Sequence, residues 1–216
     1  MRAGIIASAG VAPVSGGPGL VQVNSGTWNG TGFTTSLPVA ATGLVIVHIA
    51  SNTVITTPGG WTLRNSTVNY MGNYLFDRPG SGGTSWAFTT GASQGTWTAI
   101  ELAAGAAFVS ASTNPASGDT GASSGTTHTS PSVTPTAGKR GILSAIRSLS
   151  DIGVASFSGW AAGWDEIADV AHTAGDRPAQ GVGWIEVAAD GTTAYSSGTI
   201  GTGRTSTGRS GLTAVY

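Results

Sequence analysis

The sequence predicts an all-β fold of antiparallel sheets, and three observations support this class. The chain has 9 Lys or Arg and 10 Asp or Glu among 216 residues, so 9% of it is charged, against about 25% in a typical soluble domain. Because a soluble helix needs a polar face, such a chain cannot build many surface helices. Its 35 Gly and 7 Trp, among many Thr, Ser and Val, suit short strands closed by tight turns. Several segments also alternate with a period of two, as half-buried strands do.

The composition excludes several classes of function. A net charge of -1 provides no basic surface, so we expect no nucleic-acid partner. The absence of cysteine rules out disulfide frameworks, thiolate metal sites and cysteine nucleophiles. No stretch approaches the roughly 20 apolar residues of a membrane-spanning helix, so we expect no membrane partner either.

Turn and strand signals divide the chain into an N-terminal arm and one domain. Residues 1–19 end in a Gly- and Pro-rich stretch and are interpreted as an arm and linker, and residues 20–216 as a single β domain. Asn29-Gly30 and Asp190-Gly191 have the composition of tight hairpin turns, because both positions tolerate positive φ. Leu44–Ile49 is a continuous apolar run, which predicts a strand buried on both faces.

Alternation predicts further strands. The aromatic residues share one parity within Tyr70–Phe76 and within Thr84–Thr89, and Trp97–Leu102 alternates as well. Asp77–Gly80 separates two of these runs, and its proline predicts a turn. Trp164–Ala171 predicts either a strand with a polar face or a single turn.

The two halves of the chain are similar to one another. The run from Thr35 to Ile49 matches that from Thr129 to Ile146, and Asp-Arg-Pro occurs at 77–79 and again at 176–178. Between them, Ser110–Gly138 is almost entirely small and polar, which favours a long loop with one or two edge strands over a domain linker. A repeat of roughly one hundred residues is too long for a solenoid or propeller blade. It favours a sandwich with equivalent halves, a double Greek-key jelly roll.

One set of motifs resembles a known family. It runs from Pro58–Leu63, which contains Gly-Trp-Thr, through the aromatic segments Tyr70–Phe76, Ser85–Thr89 and Trp97–Leu102 to the apolar end Ser210–Tyr216. This pattern resembles the jelly-roll β-sandwich modules of tailed bacteriophages, especially those of actinobacteria. Such modules occur in head-decoration, minor tail and fibre-associated proteins.

The resemblance covers residues 33–216, nearly the whole chain. It implies an accessory structural protein of the virion. The family carries no catalytic motif that could be transferred to positions of this sequence.

The serine and histidine candidates for catalysis have simpler interpretations. Ser93 and Ser123 each lie in a G-x-S-x-G pattern, but a nucleophile elbow needs a strand before it and a helix after it. A strand pattern follows Ser93, so we predict a hairpin turn there. His48 is expected in the core, His128 in the polar loop, and His172 in an unrelated context; no two are spaced as metal ligands. We therefore predict no catalytic residue, no metal and no cofactor.

The densest carboxylate cluster is Asp165, Glu166 and Asp169. Glycoside hydrolysis needs two carboxylates facing each other across a sugar. The sequence lacks the Glu-x-Asp-x-x-Glu strand of many laminarinase-type sandwich hydrolases, and it also lacks a calcium loop of alternating acids. A solvated strand edge is the favoured interpretation.

Most of the Trp residues are expected in the core, with one or two exposed. Trp side chains and the Asp165–Asp169 region together form the alternative, a surface for glycans.

The sequence thus favours a non-enzymatic structural protein located in the virion. We expect a capsid-surface decoration or head-fibre protein, because no heptad or Gly-X-Y stalk is present for trimerising a fibre. The expected partners are other virion proteins, namely major capsid or tail subunits, and further copies of the chain. The alternative is a minor tail or tail-fibre protein that binds host-surface glycans. A glycoside hydrolase is the third option and would need two paired acids in one cleft.

Overall fold

The computed structural model describes residues 17–68, 72–115, 125–149, 156–173, 178–206 and 208–216. Every regular element among them is a β-strand, which confirms the all-β class. The strands are β1 (Leu20–Ser36), β2 (Leu44–Ser51), β3 (Thr62–Val68), β4 (Gly72–Pro79), β5 (Ser85–Leu102), β6 (Ser110–Pro115), β7 (Gly125–Thr129), β8 (Gly138–Leu149), β9 (Asp165–Ala171), β10 (Pro178–Ala189), β11 (Thr199–Ser206) and β12 (Gly208–Val215).

Each half of the chain forms one antiparallel sheet. The first sheet has the order β1-β5-β2-β4-β3, and the second has the order β6-β12-β8-β10-β9. A two-stranded ribbon of β7 and β11 accompanies the second sheet. The two orders are equivalent when β6 and β7 together are matched to β1, and β11 and β12 to β5. The similarity of the two halves in sequence therefore corresponds to a repeated sheet topology.

The structure does not confirm the jelly-roll connection. The described chain completes all five strands of the first sheet before it enters the second, so neither sheet contains strands from both halves. Antiparallel pairing holds for every strand pair among the described residues. What is shown is two antiparallel sheets that face each other.

The two sheets share one apolar core. Ile46, Leu75 and Ile100 of the first sheet pack in the same buried cluster as Leu143 and Leu212 of the second. Strand β2 is central and its side chains are almost all buried, which confirms the prediction for Leu44–Ile49. Burial of this apolar area from both sheets is the main stabilising contribution to the arrangement.

The outer face of the first sheet is covered by its own longest strands. β1 and β5 pair along nearly their whole length, and an irregularity between Gly30 and Gly32 bends the ribbon. The bend brings the Trp28 ring to 4.0 Å from the Phe33 ring, centroid to centroid, in a stacked arrangement. These rings join an aromatic cluster on the outer face that includes Phe88. Side-chain packing of this kind uses apolar surface that would otherwise face water.

Three of the predicted turns are wrong, because the residues concerned lie within strands. Asn29 and Gly30 lie inside β1, where Gly30 has φ 132° and takes part in the bend rather than a reversal. The segment around Ser93 lies inside β5, so Ser85–Thr89 and Trp97–Leu102 belong to one strand. Residues 77–79 likewise end β4. For Asn29-Gly30 the reason is that glycine permits positive φ in a bulge as readily as in a turn, so composition alone does not distinguish the two.

Other predicted elements are confirmed, apart from one hairpin. Trp164–Ala171 contains strand β9, which has a partly exposed polar face and forms one edge of the second sheet. Asp190-Gly191 lies in a bend after β10, with Asp190 Oδ1 accepting hydrogen bonds from the Thr192 and Thr193 amides at 2.7 Å each. The hairpin predicted there is wrong, because β10 pairs with β8 and β9 while the next strand, β11, pairs with β7. Ser110–Gly138 contains the edge strand β6 and the ribbon strand β7. Tyr70 and residues 176–177 lie outside the described residues.

Candidate functional site

Ser93 is occupied by core contacts. Its side chain is buried, its hydroxyl accepts a hydrogen bond from Trp28 Nε1 at 3.1 Å, and it lies 2.6 Å from the Thr90 hydroxyl. No histidine or carboxylate is among these partners, so its environment is that of a structural hydroxyl. Ser123, in the second match to the same motif, lies outside the described residues.

His48 is buried in the core, as expected. It belongs there to a polar network between the two sheets. Its Nε2 contacts Asn73 Oδ1, and the Asn73 amide donates to Ser210 Oγ at 3.2 Å. Burial lowers the pKa of His48 to about 4, and the nearby Arg147 charge acts in the same direction, against hydrogen bonds from Asn73 and Gln180. The ring is therefore neutral at pH 7 and stabilises the contact between the sheets.

The prediction for His128 is wrong. It lies on β7 and is buried beside Gly211 of β12, where a Cβ atom would come within 2.7 Å of His128 Nε2. Burial, reinforced by the Arg209 and Arg147 charges, lowers the pKa of His128 to about 4. His172 is buried after the end of β9. The polar residues around His128 predicted a loop. The ribbon of β7 and β11 instead packs over the second sheet and shields His128 from water.

The described residues contain no group of three or more His, Asp or Glu side chains arranged to hold a metal ion. No helix long and apolar enough to cross a membrane occurs among them.

A surface groove of about 460 Å³ lies beside the start of β8, lined by Pro18, Ala106, Lys139 and Arg140 among others. The Arg140 guanidinium is bonded to Thr136 Oγ1 at 2.9 Å and to the Ala137 carbonyl at 3.2 Å, so it already has local partners.

Five of the seven tryptophans are buried, and Trp160 and Trp164 are partly exposed. Trp164 packs against the apolar cluster around Ile142 and Val215. Trp160 packs against a different cluster, which contains Phe157. Trp160 is the partly exposed indole that lies beside the carboxylates identified in the sequence.

A β-bulge brings two of those carboxylates to one side of the sheet. Glu166 pairs with Gly183 and Asp169 pairs with Gly181, and the register shifts between these pairs so that Ile167 is the extra residue. Side chains three positions apart would face opposite sides of a regular strand. The bulge instead places Glu166 and Asp169 on the same, outer face, whereas Ile167 packs toward the core shared by the sheets.

Two aromatic rings lie over the glycines that pair with these acids. A Cβ atom on Gly183 would come within 2.5 Å of the Trp160 six-membered ring, and one on Gly181 within 2.4 Å of Phe157 Cγ. The Phe157 amide also donates to Asp169 Oδ2 at 3.1 Å. Glycine is therefore required at both positions for the rings to approach the sheet. Trp160, Phe157, Glu166 and Asp169 together form what we call the β9 outer surface.

The electrostatics of the β9 outer surface are those of two carboxylates near an aromatic ring. Partial burial raises the pKa of Glu166, the Asp169 charge raises it further, and the Trp160 N–H partly offsets both. Partial burial also raises the pKa of Asp169, against the hydrogen bond from the Phe157 amide. The Trp160 N–H thus faces Glu166, yet Trp160 Nε1 is buried and makes no hydrogen bond of normal geometry within the described part of the chain.

Comparison with known proteins gives no basis for assigning a function to the chain. No protein-family model matches it, and no curated protein or solved structure matches it significantly.

Sequence reasoning singled out the acids of this surface but not Trp160 in particular. The Gly-x-Gly pattern at 181–183 was the available signal, because paired glycines in a strand indicate close approach by another group.

Proposed function

We propose that this chain is a non-enzymatic structural protein of a tailed-phage virion, attached to the capsid surface as a decoration or head-fibre protein. The observation that carries the proposal is the use of aromatic side chains in packing. Five of the seven tryptophans are buried. The rings of the first half form a closed cluster on the outer face of their sheet instead of lining a cleft.

The surface composition supports attachment to other subunits. β1 forms one edge of the first sheet, and its 17 residues include no charged side chain. Natural sheet edges commonly carry charges that oppose pairing with other chains. A long uncharged edge is therefore compatible with contact to capsid subunits or to further copies of the chain. The finer fold assignment, a jelly roll, also remains a proposal. The crossovers between non-consecutive strands within each sheet support it, whereas the separation of the two halves into two sheets does not.

Immunolabelling of purified particles tests the proposal. An antibody to the chain, viewed by electron microscopy, should label the capsid surface at regular positions. Label on the tail alone would transfer the protein to the minor tail class. Particles without label, tested with an antibody that recognises the purified chain as its positive control, would refute the virion assignment.

The second candidate function is a minor tail or tail-fibre protein that binds host-surface glycans. One observation favours it, namely the partly exposed Trp160 with Glu166 and Asp169 on the β9 outer surface. An aromatic ring with nearby acceptors is a common arrangement at ligand sites. This candidate predicts saturable binding of the isolated protein to a polysaccharide, which attachment to a capsid does not require.

A further inference from the structure

We propose that the β9 outer surface binds a neutral hexose polymer, with Trp160 as the ring on which a sugar stacks and Glu166 and Asp169 as acceptors for its hydroxyls. The inference rests on the glycan-binding candidate above and adds the location of the site and the charge class of the ligand. Three features of the surface support it.

The first feature is that the Trp160 segment is held in place. The Ser158 amide donates to the Gly201 carbonyl at 3.1 Å, and the Gly201 amide donates back to Ser158 at 2.7 Å. The Ala161 amide donates to the Ser197 carbonyl at 2.9 Å. These bonds fix the backbone on both sides of Trp160 to β11 and to the segment that leads into it. A ring positioned in advance loses little conformational freedom on binding, which favours affinity.

The second feature is the indole N–H. It is directed at Glu166, and this contact partly offsets the rise in the pKa of the Glu166 carboxyl. The ring and the carboxylate therefore lie side by side, so a sugar stacked on the ring would have its hydroxyl groups within reach of a carboxylate acceptor. The apolar C–H side of a pyranose would at the same time cover the exposed part of the ring.

The third feature is the pair of carboxylates on the same face. Glu166 and Asp169 are both exposed. Each pairs with one of the two glycines that Trp160 and Phe157 cover. Ionised carboxylates accept strong hydrogen bonds from hydroxyl groups. Their charge also repels polymers that carry carboxylate or phosphate groups. The site is therefore matched to neutral hexoses rather than to uronic acids or teichoic acids.

Affinity electrophoresis of the full chain through gels containing soluble neutral glucan, neutral mannan or acidic polygalacturonate tests this inference. The variants are Trp160→Ala and Glu166→Gln, with Asp165→Asn as the matched control. Asp165 pairs with Trp184 and precedes Glu166 on the strand, so its side chain lies on the opposite side of β9. Thermal unfolding of each variant verifies that it is folded.

We expect retardation by a neutral polymer and not by polygalacturonate. Trp160→Ala and Glu166→Gln should each weaken binding by about tenfold or more, which corresponds to about 1.4 kcal/mol, whereas Asp165→Asn should bind as the unchanged chain does. Should Trp160→Ala fail to fold, Glu166→Gln alone decides the result.

Two results would overturn the inference, and they differ in meaning. Binding that survives in both site variants would leave the chain a glycan-binding protein but place the site elsewhere. Lack of binding to any polymer would remove the glycan-binding candidate itself and leave the acids of β9 as protection of a sheet edge. Particle labelling is unaffected by either result, so the virion proposal is judged separately.

Discussion

Arg147 Nε donates a hydrogen bond of 2.8 Å to Ser210 Oγ, between neighbouring strands of the second sheet. The same hydroxyl is reached from the first sheet by Asn73 Nδ2 and Thr67 Oγ1, each at 3.2 Å. Ser210 is fully buried. One serine thus connects three side chains across the contact between the sheets, in the region where the apolar core gives way to polar residues.

Replacing Ser210 with alanine should destabilise the protein strongly. Arg147 and Asn73 would each lose a buried acceptor, so we expect the free energy of unfolding to fall by about 2–4 kcal/mol. Urea unfolding monitored by Trp fluorescence measures it. Ser144→Ala is the control, because among the described residues Ser144 Oγ bonds a single neutral hydroxyl, that of Ser197, at 2.7 Å. A loss of about 1 kcal/mol is expected there. Equal losses in the two variants would contradict the central role of Ser210.

Stability should fall as the pH decreases from about 6.5 to about 4. The pKa values of His48 and His128 are both lowered from 6.5 to about 4 in the folded chain. Between these values the unfolded chain binds protons that the folded chain does not, so acid favours unfolding. Each histidine contributes a slope of up to about 1.4 kcal/mol per pH unit within this window, and the contribution is complete above it.

His48→Gln isolates one of these contributions. Carboxylates with raised pKa values, such as Asp77, act in the opposite direction and reduce the total slope. The difference in slope between the unchanged chain and His48→Gln should therefore be about one proton between pH 4.5 and 6. Urea unfolding at several pH values measures it. Identical slopes would show that the pKa of His48 is not lowered.

Gly95 should not tolerate a side chain. A Cβ atom there would come within 1.9 Å of the Trp28 ring, so Gly95→Ala should cost about 1–3 kcal/mol through overpacking. Gly91→Ala is the control on the same strand, because a Cβ atom at Gly91 meets nothing within 4 Å. It should be neutral or stabilising by up to about 1 kcal/mol. Thermal unfolding compares the two, and a tolerated Gly95→Ala would argue against the packing of Trp28 on β5.

Removing Arg64 should expose the cost of a buried carboxylate. Arg64 Nε donates to Asp77 Oδ2 at 2.8 Å, and Asp77 is 1% exposed. Burial raises the pKa of Asp77, and Arg64 opposes that effect. Arg64→Met should lower the free energy of unfolding at pH 7 by about 2–3 kcal/mol, since Arg64 itself is partly exposed.

A second substitution tests the cause of that loss. Asp77→Asn in the Arg64→Met background should recover part of the stability, because the unpaired charge is gone. The deficit of Arg64→Met alone should also shrink as the pH falls from 7 to 5, since the folded chain then takes up a proton. A deficit that is unchanged by pH would indicate instead the lost contact of the Arg64 guanidinium with Phe108, whose ring centre lies 4.8 Å from Arg64 Cζ.

The all-β class was predictable because low charge and period-two alternation are properties of short segments. The buried strand Leu44–Ile49 and the polar-faced strand β9 are examples of the same local signal. The repeat between the halves was also visible, since equivalent strands retain similar sequences. These features depend on neighbours in sequence, which the chain displays directly.

The bends and the β9 outer surface were not predictable in the same way. Gly30 and Asp190-Gly191 share turn chemistry, yet only the latter lies outside a strand, because β5 continues the pairing across Gly30. The common face of Glu166 and Asp169 depends on a bulge opposite Gly183, and the position of Trp160 depends on a backbone bond to β11. Each of these is decided by a residue distant in sequence.

The separation of the two sheets along the chain has a consequence for how the molecule could be divided. Residues 103–109 link one complete set of hydrogen-bonded strands to the other, and no described strand pairing crosses that link. A backbone cut there would produce two fragments, each with its full sheet, whose main loss is the apolar contact around Ile100 and Leu212. Such fragments are suited to reassembly as separate polypeptides. The hydrogen bond between Asn73 of one fragment and Ser210 of the other would form only when they dock correctly.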